Sequence, residues 1–179
     1  GSLSRDLSGI AGEGSRAWRA ANRIEARFEH GHNLTTIFRP EDLRREPEMA
    51  SMRLGERYIS SGPGDIYWQP NLLSPAAVDH AIAVVNRAFD ADPKRLSFSL
   101  SENDAFRFDD SPATLAAVAP ARFFRHRPDY SDLVFGFTNA VAERVVQRHP
   151  ERYLPAYAYY WAENTPRFPI ARNVVPYLT

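Results

Sequence analysis

The order of apolar and polar positions predicts a helix followed by a strand in the middle of the chain. Ser74 and Pro75 are an N-cap residue and a first-turn proline, the usual start of a helix. Apolar residues then recur at helical spacing until the sequence DADP ends the pattern. The next stretch, RLSFSLS at 95–101, alternates with a period of two, which predicts a strand.

A second cycle repeats this order nearer the C-terminus. Ser131 is predicted to cap a helix over DLVFGFTNAVAERVVQRH, in which Val134, Phe137, Val141 and Val145 form one apolar stripe. The strand-like stretch YLPAYAYYWAEN follows Pro150, and NVVPYLT is typical of one more strand.

The N-terminal half is richer in loops. SRAWRAANRIEARF places Trp18, Ala21 and Phe28 on one helical face, and RPEDLRREPEMASMRLG predicts short helical pieces broken at Pro47. A short helix capped by Ser111 is expected in the long loop that begins at Asp104.

Helices that alternate with strands predict an α/β fold with parallel strands. The chain contains neither GxGxxG nor GxxxxGK[ST], the common phosphate-binding motifs of open sheets, so a (β/α)8 TIM-type barrel is favoured. Only three or four strands are clear, whereas a barrel has eight. We therefore interpret residues 1–179 as a single domain, a fragment of a (β/α) barrel truncated at both ends.

Composition excludes some classes of partner. The 179 residues contain 22 Lys and Arg against 22 Asp and Glu, so no net field favours nucleic acid or an anionic membrane. No cysteine is present, and no apolar run approaches the ~20 residues of a membrane span. The first residues do not show the charged and then apolar pattern expected of a signal peptide. We predict neither nucleic acid nor membrane as a partner.

Two predicted strand ends carry acids. Glu102 and Asp104 end the first strand, and Glu163 follows the aromatic stretch YYW. Barrel enzymes place their chemistry at the carboxyl ends of strands. Glycosidases use two carboxylates ~5 Å apart, or ~6.5–9.5 Å apart when a water must fit between them. We predict Asp104, Glu102 and Glu163 as candidate catalytic residues. The simpler alternatives are turn formation and capping for the first two, and a solvated loop charge for Glu163.

Aromatic and amide side chains in the same regions predict a sugar site, because sugars stack on rings and pair their hydroxyls with polar groups. The candidate substrate-binding residues are His32, Asn33, Trp68, Asn71, Tyr159, Trp161 and Asn164. For each ring, packing between sheet and helices is the alternative. The pair of histidines in HGHN lacks a third ligand nearby, and no GxSxG is present, so we predict no metal, no cofactor and no serine nucleophile.

A series of motifs resembles an uncharacterised bacterial family known only as a domain of unknown function (DUF4838). The motifs are, in order, GHNL, PEMASMRLGERY, WQPNLLSPAAVDHA, FSLSENDAF, YSDLVFGFTNAVAERVVQRHPERYLPAYAYYWAENTP and NVVPYLT. The resemblance extends from about Trp18 to Thr179. The family is similar to glycoside hydrolase barrels of the α-glucuronidase and β-hexosaminidase kind, which implies a barrel that continues beyond both ends of the chain.

The resemblance also implies particular residues. The matching positions are Gly31, His32, Pro47, Glu48, Ala50, Gly55, Arg57, Ser101, Asp104, Tyr159 and Asn164. Family members often follow the strand-end aspartate with glycines and cysteines, whereas AFRFDD follows here, so no metal or cysteine cluster is carried over. The resemblance implies an extracellular or periplasmic location.

The resulting hypothesis is a carbohydrate-active protein that hydrolyses a glycosidic bond, with an oligosaccharide or polysaccharide and the rest of the barrel as partners. Asp104 or Glu102 would be the general acid or would orient the substrate, and Glu163 would be its partner. A non-catalytic carbohydrate-binding barrel and a structural or interaction module are the alternatives.

Overall fold

A computed structural model describes residues 28–62 and 64–179. Most of the helix predicted around Trp18 and Ala21 lies outside these residues. The described helices are α1 (Leu34–Ile37), α2 (Pro40–Arg45), α3 (Pro75–Ala91), α4 (Pro112–Ala117) and α5 (Ser131–Arg148), with 3-10 turns at Pro47–Met49 and Tyr160–Ala162. The strands are β1 (Met52–Arg53), β2 (Glu56–Arg57), β3 (Phe123–Phe124), β4 (Arg127–Pro128), β5 (Leu154–Ala158) and β6 (Val174–Leu178).

The two long helices match the apolar periodicity, but only one has the predicted cap. The Ser74 hydroxyl accepts a hydrogen bond from the Ala77 amide at the start of α3, as expected of an N-cap. Helix α5 instead begins at Ser131 itself, whose backbone N–H donates to Asp129 Oδ1 at 2.9 Å. The prediction that the Ser131 side chain caps α5 is therefore wrong, because Ser131 is already the first residue of the helix and Asp129 accepts a hydrogen bond from its backbone amide.

The strand predicted at 95–101 lies between two other extended segments. Its residue Ser97 forms a parallel bridge with Tyr153, and Ser101 forms one with His32. Strand β5 in turn pairs in parallel with β6, with Leu154 opposite Val174. Four segments thus run side by side in parallel, in the order 32–33, 96–101, 153–158 and 174–178.

One face of this sheet packs against helices α3 and α5. Leu100, Leu154 and Ala156 are buried there, together with Val85 of α3 and Val141 of α5. Each fully buried leucine or valine contributes about 1.5–3 kcal/mol to folding. The alternation of the strand residues therefore leaves the other face to serines, histidines and tyrosines.

The sheet is strongly curved. The His30 ring stacks on Tyr177 of β6 with centroids 4.9 Å apart, although His30 leads into the first of the four segments and Tyr177 belongs to the last. Neighbouring strands lie ~4.8 Å apart. In a flat sheet the two segments in the middle would therefore keep the His30 and Tyr177 rings apart. The described segments form an open sheet and not a closed barrel. None of the helices in the described part of the chain combines the length and apolar character that a bilayer crossing requires.

Candidate functional site

The predicted site residues lie where parallel segments end. Asn33 N–H donates to the Ser101 carbonyl at 3.1 Å, and the Tyr159 hydroxyl donates to Asp104 Oδ1 at 3.1 Å. The segments after residue 101 and after β5 therefore end at the same edge of the sheet. Parallel strands produce this arrangement because their carboxyl ends all point the same way.

Glu102 is a buried acid without a hydrogen-bond partner. Only 3% of the residue is exposed, and neither carboxyl oxygen has a partner among the described residues. Burial raises the pKa of this carboxyl to about 8, and the nearby Asp104 charge adds to the effect. Glu102 is therefore protonated at neutral pH, an unusual state for a glutamate and one found often at functional sites.

His32 and two tyrosines lie beside the backbone that carries Glu102. His32 Nδ1 lies 2.5 Å from the Glu102 carbonyl oxygen, and the His32 ring contacts Tyr157 at 5.0 Å and Tyr159 at 5.6 Å between centroids. Burial raises the pKa of Tyr157, with a further contribution from the Glu102 carboxyl. The imidazole thus connects the first segment to the strand end that carries the buried acid.

Asp104 differs from Glu102 in that its side chain is exposed to solvent. It accepts the hydrogen bond from Tyr159, and burial together with this bond raises the pKa of the Tyr159 hydroxyl. Tyr159 therefore remains a hydrogen-bond donor across the physiological range and holds the carboxylate in place.

A buried amide network, which the sequence analysis missed, fixes the loop between the two acids. Gln69 Nε2 donates to the carbonyls of Asn103 and Ala105, both at 2.8 Å, and Gln69 Oε1 accepts from the Asn103 amide at 3.1 Å. The Asn103 side chain donates to the Trp68 carbonyl and accepts from the Thr35 amide. Nothing in the local sequence of Gln69 marks it as a partner of residues 34 positions away.

Three rings form a surface next to Asp104, which we call the aromatic row: Tyr160, Trp161 and Phe106. Tyr160 stacks on Trp161 at 5.3 Å, and Trp161 contacts Phe106 at 5.9 Å. Phe106 is 62% exposed and Tyr160 38% exposed. Tyr160 also adopts φ of +45°, a left-handed conformation that costs a bulky residue free energy and occurs preferentially at functional sites.

Other predicted binding residues have structural roles. Trp68 is 1% exposed and its indole N–H donates to the Asp65 carbonyl, so no ring face is open to a sugar. The binding role predicted for Trp68 is corrected to core packing. The side-chain amides of the remaining three predicted residues bond to the protein itself: Asn33 to the Ser99 carbonyl, Asn71 to the Glu48 carbonyl and Asn164 to Asp129.

Glu163 does not join the other two acids in any described contact. Its carboxylate lies 3.0 Å from the Arg125 guanidinium, and it lines a cavity with Phe135 of α5 and Ala158 of β5. Phe135 and Ala158 lie on the side of the sheet that faces the helices. The expectation that Glu163 pairs with Glu102 or Asp104 is thus corrected: an ion pair with Arg125 holds this carboxylate elsewhere.

The model of one protein family, the domain of unknown function DUF4838, matches residues 12–179. The chain belongs to this family. No curated protein and no solved structure matches it significantly. The matched range includes both acids, the histidine and the aromatic row, so the whole candidate site lies inside the DUF4838 domain.

The chemistry available to this DUF4838 domain follows from the contrast between its two acids. A neutral carboxylic acid can donate a proton, whereas an exposed carboxylate held by a tyrosine can stabilise positive charge or accept hydrogen bonds. The rings beside them offer apolar faces, and His32 is exposed and able to bond to a ligand.

Proposed function

We propose that this domain is part of a (β/α)8 barrel that binds carbohydrate and hydrolyses a glycosidic bond at Glu102 and Asp104. The observation that carries the proposal is the pairing of a buried, protonated Glu102 with an exposed Asp104 at one strand end. Glycosidases need one acid that keeps its proton at neutral pH and a second group that remains ionised.

In the proposed reaction Glu102 donates its proton to the oxygen of the leaving sugar. Its burial keeps the proton on the acid until the substrate arrives, because a charge in this apolar environment is costly. The Asp104 carboxylate stabilises the positive charge that develops on the sugar ring as the glycosidic C–O bond breaks, and a water molecule then adds to the anomeric carbon and returns a proton to Glu102. Tyr159 holds Asp104 in position through its hydroxyl.

Sugar binding is supported by the exposed rings and by His32. Phe106 and Tyr160 present apolar surface beside Asp104, which suits the C–H faces of a pyranose. The resemblance to glycoside hydrolase barrels points to the same class of substrate, although a shared fold alone does not establish a reaction.

The test is a screen of aryl glycosides and polysaccharides for release of reducing ends, followed by substitution of each acid. We expect Asp104→Asn and Glu102→Gln each to lower kcat/KM by at least a hundredfold, the usual contribution of a general acid or base. Asp79→Asn on the outer surface of α3 removes an exposed carboxylate elsewhere and should keep full activity. We also expect Glu163→Gln to retain turnover.

The pH profile gives a second readout of the same proposal. If Glu102 is the proton donor, the rate falls as pH rises through about 8, where this acid loses its proton. A rate that stays constant from pH 7 to 9.5, or full activity in Glu102→Gln, would refute the assigned role.

A non-catalytic carbohydrate-binding barrel is the second candidate, and the burial of Glu102 favours it. With only 3% of this residue exposed, Asp104 is the one acid of the pair in direct contact with solvent. This alternative predicts that wild type and Asp104→Asn both lack turnover while the wild type still binds oligosaccharides on an array.

A further inference from the structure

The aromatic row is flanked by arginines at both ends. At the Tyr160 end, the Arg127 guanidinium lies 4.5 Å from the ring centroid, and at the Phe106 end Arg107 lies 5.8 Å from the ring. Both distances are within the range of a cation–π contact. Neither arginine has a carboxylate partner among the described residues, in contrast to Arg125, which pairs with Glu163.

The positive charge near Phe106 is reinforced by another arginine. Burial is the main cause that lowers the pKa of Arg53, and the like charge of Arg107 lowers it further, whereas Tyr58 and Asp65 act in the opposite direction. The chain as a whole has no net charge, and the positive charge at the two ends of the row comes from Arg107 and Arg127.

The row is also longer than one sugar ring requires. Tyr160, Trp161 and Phe106 follow one another at centroid distances of 5.3 and 5.9 Å, and the left-handed backbone of Tyr160 holds the first ring in this alignment. Rings in a row offer successive contacts to neighbouring units of a sugar chain, whereas a single ring offers one contact.

We infer that the aromatic row binds an extended acidic polysaccharide, with Arg127 and Arg107 pairing with anionic groups on units to either side of Asp104. The inference rests on the proposed carbohydrate function and adds the class of substrate. The shared chemistry is a carboxylate or a sulfate on a sugar ring, and guanidinium groups bind either one through charge-assisted hydrogen bonds. Asp104 faces the reacting unit, so the anionic groups belong beside the arginines and not beside this carboxylate.

The experiment compares polysaccharides that differ only in charge, by affinity electrophoresis and titration calorimetry at low and high salt. Polygalacturonate against its full methyl ester tests the carboxylate, and dextran sulfate against dextran tests the sulfate. We expect at least one acidic member to bind about tenfold more tightly than its neutral counterpart, with the difference reduced by salt.

Two sets of variants distinguish the contribution of the arginine charges to binding from the contribution of ring stacking. Replacing both Arg107 and Arg127 by Gln should abolish the preference for the acidic member, whereas Arg44→Gln with Arg87→Gln, two exposed arginines on α2 and α3, should preserve it. Phe106→Leu keeps apolar volume but removes the ring, and should weaken acidic and neutral chains alike.

Equal affinity for charged and neutral members, no binding to either pair, or the same loss in both double-arginine variants would overturn the inference. These outcomes differ from failure of the proposed function, which turnover measures. If a neutral glycoside is hydrolysed and acidic chains are not preferred, the proposed hydrolase function stands and the inferred acidic substrate is wrong. If acidic chains bind but are not cleaved, the inferred acidic ligand stands and the proposed hydrolase function is wrong.

Discussion

At the scale of single residues, the candidate site depends on one uncompensated acid. Polar groups buried in proteins are nearly always hydrogen-bonded, and a buried carboxyl without a partner lowers stability. Glu102 keeps both oxygens unpaired at the end of an otherwise well-bonded strand. Uncompensated buried acids of this kind occur often at functional sites, which is consistent with the role proposed for Glu102.

The burial of the Glu102 carboxyl predicts that the stability of the fold depends on pH. The pKa of Glu102 is about 8 in the folded state against 4.5 for an ordinary glutamate, so the folded protein binds the extra proton between these values. The stabilisation that this proton gives the folded state is complete below pH 4.5 and is lost as pH rises to about 8. The free energy of unfolding falls over this range by at most about 1.4 kcal/mol per pH unit. Glu102→Gln should remove this slope.

Urea unfolding from pH 5 to 9 measures the effect as the difference between wild type and Glu102→Gln, which cancels the histidines common to both. Asp79→Asn is the control, because it removes an exposed carboxylate on the outer surface of α3 and leaves both Glu102 and Asp104 in place, so it should keep the wild-type slope. Wild-type and Glu102→Gln curves that run parallel across this range would show that Glu102 titrates normally.

Residue-scale features are also where sequence reasoning was weakest. The strand-end positions of Glu102 and Asp104 followed from alternation, since a period of two shows where a strand stops. The burial of Trp68 and the bonds of Gln69 depend on segments more than 30 residues away, and no local pattern encodes them. Glu163 illustrates the same limit, because its partner Arg125 belongs to a hairpin that the sequence did not predict.

At the scale of elements, the two long helices offer a matched pair of serines. Ser74 accepts a bond from the Ala77 amide at the start of α3, whereas Ser131 begins α5 with its hydroxyl buried and without a partner in the described residues. Ser74→Ala should lower the free energy of unfolding by about 1 kcal/mol, the usual value of an N-cap. Ser131→Ala should be neutral or slightly stabilising, because it removes a buried unpaired hydroxyl.

Chemical denaturation of both variants tests this assignment directly. The two serines have the same predicted role in the sequence, since each precedes an apolar helical repeat. A loss of stability in Ser131→Ala as large as in Ser74→Ala would restore the side-chain cap on α5.

The 3-10 turn at Tyr160–Ala162 carries its own prediction. Glycine adopts positive φ without cost, whereas alanine at φ of +45° is strained by about 1 kcal/mol. Tyr160→Gly should therefore be more stable than Tyr160→Ala by about this amount, the reverse of the usual order. Thermal unfolding compares the two, and a more stable alanine variant would show that the turn relaxes to ordinary φ.

At the scale of the whole molecule, periodicity predicted the two long helices and the strands that follow them but not the curvature of the sheet. Alternation shows which face of a strand is apolar, and this agrees with Leu100 and Leu154 packing under the helices. Curvature depends on contacts between the first and fourth segments, which are almost 150 residues apart in the chain. Closure of the sheet into a barrel is part of the proposed function. A sheet that already bends is compatible with such closure.

The stack of His30 on Tyr177 makes the bend measurable. If the rings contact each other in solution, a double-mutant cycle between His30→Ala and Tyr177→Ala should give a coupling energy of about 0.5–1.5 kcal/mol, as for other aromatic pairs. The cycle is measured by urea unfolding of all four proteins at one fixed pH. Since His30 makes no described contact with Tyr67, that pair is the control and should be additive within about 0.5 kcal/mol. A flat sheet would hold the first and last segments apart, so additivity for His30 and Tyr177 as well would show that the sheet does not bend.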